Sequence, residues 1–153
     1  MKGTYCLIIS MKKSEKLDIG HLHHGYKFEK GYYVYIGSAM NSLVARINRH
    51  LSDDKKMHWH IDYLLKNEHS EIRDVLFNVS DKKIECDLAS AITENGKGVP
   101  KFGCSDCNCS SHLIYFKRKR DAMNSVKSAY DKLEMKYHNL SYFKKELMKN
   151  KNR

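Results

Sequence analysis

Proline is almost absent from this sequence: Pro100 is the single one in 153 residues. No low-complexity stretch or internal repeat interrupts the chain either. A chain of this length without a linker is most simply one domain, large enough to bury its own core. Long apolar runs are also missing. None approaches the ~20 residues that a membrane span needs, and no basic cluster flanks an apolar anchor, so no membrane partner is expected. The N-terminus, MKGTYCLIIS, carries one lysine and too short an apolar stretch for a secretory signal, which places the chain in the cytoplasm. The five cysteines are an odd number in such a compartment, so a disulfide framework is not expected. Cys6 and Cys86 stand alone and read as buried thiols.

Acidic residues are scarce beside basic ones, 18 against 28, which leaves a net charge of +10 and a pI near 9.3. That field attracts polyanions, and nucleic acid is the commonest of these in a cell. The composition is otherwise that of a soluble globular protein, with 41% hydrophobic and 30% charged residues.

Periodicity divides the chain into elements. GTYCLIIS (3–10) alternates as a strand, with Tyr5, Leu7 and Ile9 on one face and Thr4, Cys6 and Ile8 on the other. Residues 11–31 carry no long apolar pattern and read as a loop, with a short hairpin around IGHLHHGYKFEKG. Residues 32–38 form a second strand whose Tyr33, Tyr35 and Gly37 share a face. Asn41 or Ser42 then caps a helix through Leu51. At roughly 100° per residue, Leu43, Val44, Ile47 and Leu51 make its buried stripe. Arg46 and His50 lie beside that stripe, one turn apart, where polar side chains project into a cleft; Arg49 lies farther toward solvent. Further elements are a helix over 58–67, a strand at 72–79, a helix near 82–94 with Glu85 beside its apolar row, and a strand at 111–117. From Asp121 onward the apolar residues Met123, Val126, Tyr130, Leu133, Tyr137, Leu140 and Leu147 keep near-heptad spacing. The spacing predicts a helical, basic extension over 121–153, its first part (121–140) packed on the domain of residues 1–120 and its end (144–153) projecting.

Several of these segments together resemble the GIY-YIG nuclease superfamily, which includes excision-repair and intron-homing endonucleases. The likeness rests on GTY in the first strand, VYIGSA in the second, and RINRH on the next helix. HWHIDYLL, ECDLA and VPKFGCSDCNCSSHLIYF resemble one branch of it, the Uri-type proteins, a group classed as a domain of unknown function. The resemblance implies an α+β fold, with a small antiparallel sheet of three central strands plus a later one, flanked by helices. It implies one Mg²⁺ (or Mn²⁺) and hydrolysis of phosphodiester bonds of DNA, with a role in DNA repair. By position, Tyr5 and Tyr35 match the two motif tyrosines, Arg46 and His50 the helix residues, and Glu85 the metal ligand. Thr4 stands where the family name has Ile, and the stretch between the two motifs is much longer than usual.

The chemistry suits these residue types. A guanidinium such as Arg46 neutralises charge gathering on phosphate oxygens. A hard carboxylate oxygen such as Glu85 suits Mg²⁺. An attacking water needs a proton acceptor, for which Tyr5 with a lowered phenol pKa is the expected base, Tyr35 its hydrogen-bonding partner and His50 a relay. Gly37, as an open strand end, and Ser38, Arg49, His58 and His60 are the expected substrate contacts. His58 and His60 cannot share a helix face.

Cys104, Cys107, Cys109 and His112 supply the donor types of a structural zinc site. Four ligands within nine residues make a tight wrap, so a metal-free compact loop is expected there instead. Two other functions remain open: a nucleic-acid-binding module that keeps the fold without cleaving, and a zinc-stabilised interaction protein. Glu85 separates the first from the nuclease, because a pure binder has no chemical need for it. No helix-turn-helix or finger is appended, so a protein partner is expected to supply targeting, and a monomer is favoured.

Overall fold

The computed structural model describes residues 1–20, 23–103 and 111–148. It is an α+β fold built on a five-stranded antiparallel sheet. The strands are β1 (Gly3–Met11), β4 (Gly31–Ala39), β5 (Ser70–Val79), β6 (Lys97–Gly98) and β7 (Leu113–Phe116), in the order β5-β1-β4-β7-β6. A separate two-stranded sheet pairs β2 (Glu15–Ile19) with β3 (His23–Phe28). This hairpin occupies most of the stretch read from sequence as a loop. Its Ile19 and Phe28 are buried in the core, so it packs as a structural layer although its strands are too polar to show a long apolar pattern.

Strand β1 is buried along its whole length. Both faces are therefore apolar, and the alternation expected from sequence sorts its side chains between two cores. Tyr5, Leu7 and Ile9 join the core beneath the hairpin, α1 (Leu43–Leu51) and α2 (His60–Leu65). Cys6 and Ile8 join the opposite core beneath α3 (Glu85–Thr93) and α4 (Lys119–Lys132). Register sets Tyr5 opposite Gly37 and Leu7 opposite Tyr35. Helix α1 begins where Ser42 accepts a hydrogen bond from the Ala45 amide at 3.1 Å, as its residue type requires of an N-cap. Helix α2 is shorter than the 58–67 expected, so His58 and Trp59 precede it.

The C-terminal region is not one long helix. Helix α4 stops at Lys132, and Glu134 takes a left-handed φ of 58°, a conformation that ends a helix. Residues after it run along the free edge of β5, where the Phe77 and His138 amides each donate to the other's carbonyl at 2.9 Å. Asn139 then caps α5 (Leu140–Tyr142) by accepting from the Tyr142 amide at 3.0 Å. A π-helical segment, Phe143–Met148, follows. Phe143 is fully buried against Phe77, with ring centroids 5.9 Å apart. The near-heptad stripe thus serves two cores: Val126 and Tyr130 face one side of the sheet, and Leu140 and Leu147 the other. The expected projecting end at 144–153 is docked as far as Met148, and its remainder lies outside the described residues.

Cys6 is a buried free thiol, as expected. Cys86 is disulfide-bonded, which corrects its reading as a lone thiol. Among the described residues no helix is long and apolar enough to cross a membrane.

Candidate active site

The candidate site lies at one end of the sheet, around β1, β4 and the start of β7. Tyr5 leaves β1 on the α1 side, and its hydroxyl lies 2.8 Å from Nε2 of His50 on α1. Gly37, directly across the sheet, leaves room for the Tyr5 ring; a Cβ there would overlap the ring carbon and hydroxyl. Sequence suggested that Gly37 keeps space for substrate, but the ring of Tyr5 fills that space. Tyr35 stands on the same face, its ring centroid 6.5 Å from that of Tyr5 and 6.1 Å from that of His50.

Arg46 precedes His50 by one turn, and its Nη1 donates to the Ser38 carbonyl at 3.1 Å. From the far side, Glu85 enters as the first residue of α3, where a carboxylate is favoured by the helix dipole. Its Oε1 is 3.3 Å from Nδ1 of His112, which the chain delivers immediately before β7. Tyr5, Tyr35, Ser38, Arg46, Glu85 and His112 share a cavity of about 460 Å³ with His58, Trp59, His60 and Phe102.

Electrostatics change one expected role. Burial pushes the Tyr5 phenol well above its usual pKa, although the charge of Arg46 pulls the other way. Tyr35 is raised as well, first by burial and then by Tyr5 and Glu85. The lowered phenol pKa expected of a tyrosine base is therefore not found. Burial instead drives His50 down to about 3, so its imidazole is neutral and can accept a hydrogen bond from the Tyr5 hydroxyl. Its Nδ1 is buried without a hydrogen-bond partner. His112 is likewise held below the usual histidine range by burial, with Glu85 opposing.

Arg49 departs from its expected substrate contact. It makes a two-pronged ion pair with Asp62, with Nη1 and Nη2 at 3.0 and 2.9 Å from the two carboxylate oxygens. Asp62 is fully buried and also accepts from the His58 and Trp59 amides, both at 2.9 Å. Burial alone would raise this carboxyl, but the hydrogen bonds from Arg49 and the two amides outweigh it and hold the pKa at about 2. Trp59 received no role from sequence. The Arg46 and Arg49 guanidinium carbons each lie 4.4 Å from its ring centroid. An Arg-x-x-Arg spacing followed by an isolated tryptophan was the available signal. Cys104, Cys107 and Cys109 lie outside the described residues, so of the zinc candidates only His112 is placed.

Glu85 is the only carboxylate among the described residues lining the cavity. One hard oxygen donor beside open, polar space fits Mg²⁺, which keeps several waters and borrows further oxygens from its substrate. Among the described residues one three-donor cluster occurs elsewhere, at Glu15, Glu68 and His69, and it holds none of the cavity residues.

Fold and site together define an antiparallel α+β domain whose polar, aromatic-walled cavity presents, among its described lining residues, one arginine without a carboxylate partner and one acidic side chain. The family model for the Domain of unknown function DUF123 matches residues 4–135, and the chain belongs to that family. No curated protein and no solved structure matches it.

Proposed function

We propose that the cavity is the active site of a metal-dependent endonuclease of the GIY-YIG type, in its Uri-type branch, that hydrolyses phosphodiester bonds of DNA. A cytoplasmic role in DNA repair follows from the same likeness. The observation that carries this reading is the convergence of Tyr5, Tyr35, Arg46 and Glu85, from four separate elements, on one cavity. A merely structural set of sheet tyrosines would not need an arginine and a carboxylate facing the same space.

Each residue has a task that its surroundings suit. The Arg46 guanidinium is turned toward the cavity and binds non-bridging phosphate oxygens, with strength gained from low dielectric. Tyr5 acts as one member of a pair: its oxygen accepts a hydrogen bond from the attacking water while its hydroxyl donates to neutral His50, and the water's proton passes to solvent as its oxygen attacks. The water oxygen forms the new bond to phosphorus, the bond to the leaving sugar oxygen breaks, and that oxygen takes up a proton from solvent. Tyr35 packs beside the pair and excludes water from it. Glu85, oriented by His112, would hold Mg²⁺ or Mn²⁺, which when bound neutralises phosphate charge and stabilises the leaving oxygen.

The test is a cleavage assay on duplex, nicked and flapped DNA with Mg²⁺ or Mn²⁺, using wild type, Glu85→Gln and Arg46→Ala. Neither side chain is part of an apolar core, so both variants should keep the wild-type melting temperature while losing at least ~100-fold in rate. Cleavage at the wild-type rate in either variant would refute the assignment. Tight binding by a wild type that never cleaves would identify a non-catalytic nucleic-acid module instead.

A further inference from the structure

Two arginines share the indole of Trp59, yet they are electrostatically unlike. Arg49 has its charge matched by buried Asp62 through two hydrogen bonds. Arg46, at the same 4.4 Å from the ring centroid, has no carboxylate partner among the described residues; its polar contacts are the Ser38 carbonyl and the Tyr5 hydroxyl. A long, flexible side chain held only by neutral oxygens has many rotamers open to it. The ring face removes most of them, because a cation within about 6 Å of an indole centroid is held there electrostatically.

We propose that Trp59, fixed in place by Asp62 and Arg49, is a positioning residue that holds the Arg46 guanidinium at the cavity with its charge unspent. The logic runs from the buried acid outward. Asp62 accepts from the amides of His58 and Trp59, which fixes the backbone that carries the indole. It also takes the whole charge of Arg49, and Arg49 additionally donates to the Lys56 carbonyl at 2.8 Å. Arg49 is thereby locked against the ring and cannot compete for an anion in the cavity. Asp62 makes its ion pair with Arg49 and not with Arg46, so among the described residues lining the cavity the arginine left to meet a phosphate is the one the ring orients. This rests on the nuclease reading for its reaction, but the orientation of Arg46 is measurable without any reaction.

The experiment compares wild type, Trp59→Leu and Trp59→Phe by steady-state cleavage of duplex DNA and by NMR of the Arg46 side-chain Nε–H group, assigned by its loss in Arg46→Lys. In wild type, the ring current should displace the Arg46 signal from the position of a free arginine. Trp59→Leu should return it to that position and lower kcat by ~10- to 100-fold, as expected for a misplaced catalytic group, with KM changed less than threefold. Trp59→Phe, which keeps a ring, should recover most of both effects. An Arg46 signal that does not move in Trp59→Leu overturns the proposal. So does a moved signal with kcat within twofold of wild type. Should Trp59→Leu fail to fold, Arg49→Gln removes the paired cation from the ring and should move the Arg46 signal in the same sense; an unmoved signal again overturns the proposal. If wild type does not cleave, the nuclease reading falls, and the NMR result alone decides the positioning role.

Discussion

Acid should weaken this fold through one identifiable side chain. His50 is only 2% exposed, and burial takes its imidazole from an ordinary 6.5 down to about 3. The unfolded chain therefore binds a proton at this position below pH 6.5 that the folded chain refuses until near pH 3. Stability is complete above pH 6.5 and falls as the pH drops toward the folded value. The slope for one such group is about 1.4 kcal/mol per pH unit, so roughly 3 kcal/mol is lost between pH 6.5 and 4. For a domain of this size that is about 6–12 °C of melting temperature. Asp62, held at about 2, contributes stability that is lost only at lower pH, below the ordinary carboxylate range. His112, lowered in the same sense as His50, is shared by any variant that leaves it alone. The comparison is thus wild type against His50→Gln, which keeps a hydrogen-bonding group near Tyr5 but cannot titrate. Melting curves between pH 7 and 4 should show wild type losing ~6–12 °C more than the variant. Parallel curves for the two proteins would refute the assignment of a buried neutral imidazole.

Three more outcomes follow from the geometry. Tyr5→Phe removes the hydroxyl 2.8 Å from His50 Nε2, so cleavage should fall ~100-fold; a loss under tenfold in the cleavage assay would leave the pair without a role. Affinity for duplex DNA, measured by fluorescence anisotropy, should drop steeply as salt rises because phosphate neutralisation releases counterions, and a flat dependence would detach the +10 charge from nucleic acid. Phe143 is fully buried against Phe77, so Phe143→Ala should cost about 3–5 kcal/mol in urea denaturation, and a cost under ~1 kcal/mol would mean that the C-terminal segment is not part of the core.

Much of the site was legible because its geometry is local. Strand alternation sets Tyr5 with Leu7 and Ile9, and Tyr35 with Tyr33 and Gly37, and helical spacing sets Arg46 beside His50; that the two tyrosines meet was legible only through the family resemblance. Both patterns depend only on neighbours a few residues away. What the sequence concealed is non-local. Nothing in a solitary tryptophan says that two guanidinium groups will meet its ring, and nothing in the spacing of Asp62 says that its charge will be matched by Arg49. The link between His112 and Glu85 joins residues 27 positions apart, with the rest of α3, β6 and a loop between them. The tail misled for another reason. One long helix and two short segments on opposite faces of a sheet need the same apolar spacing, and the break rests on Glu134, a residue type that carries no turn signal.

The pairing of Tyr5 with Gly37 has a consequence for how this family can vary. The ring occupies the volume that any side chain at 37 would claim, so the two positions are not free to drift apart independently. Gly37→Ala in this background should be unfavourable, whereas the same change beside a smaller residue at 5 should cost far less. Across descendants of this chain, a bulkier residue at 37 would therefore be expected only in lineages that had already given up the tyrosine, and with it the hydrogen bond to His50. The glycine, chemically inert, becomes a historical marker of whether a given member still keeps the tyrosine–histidine pair.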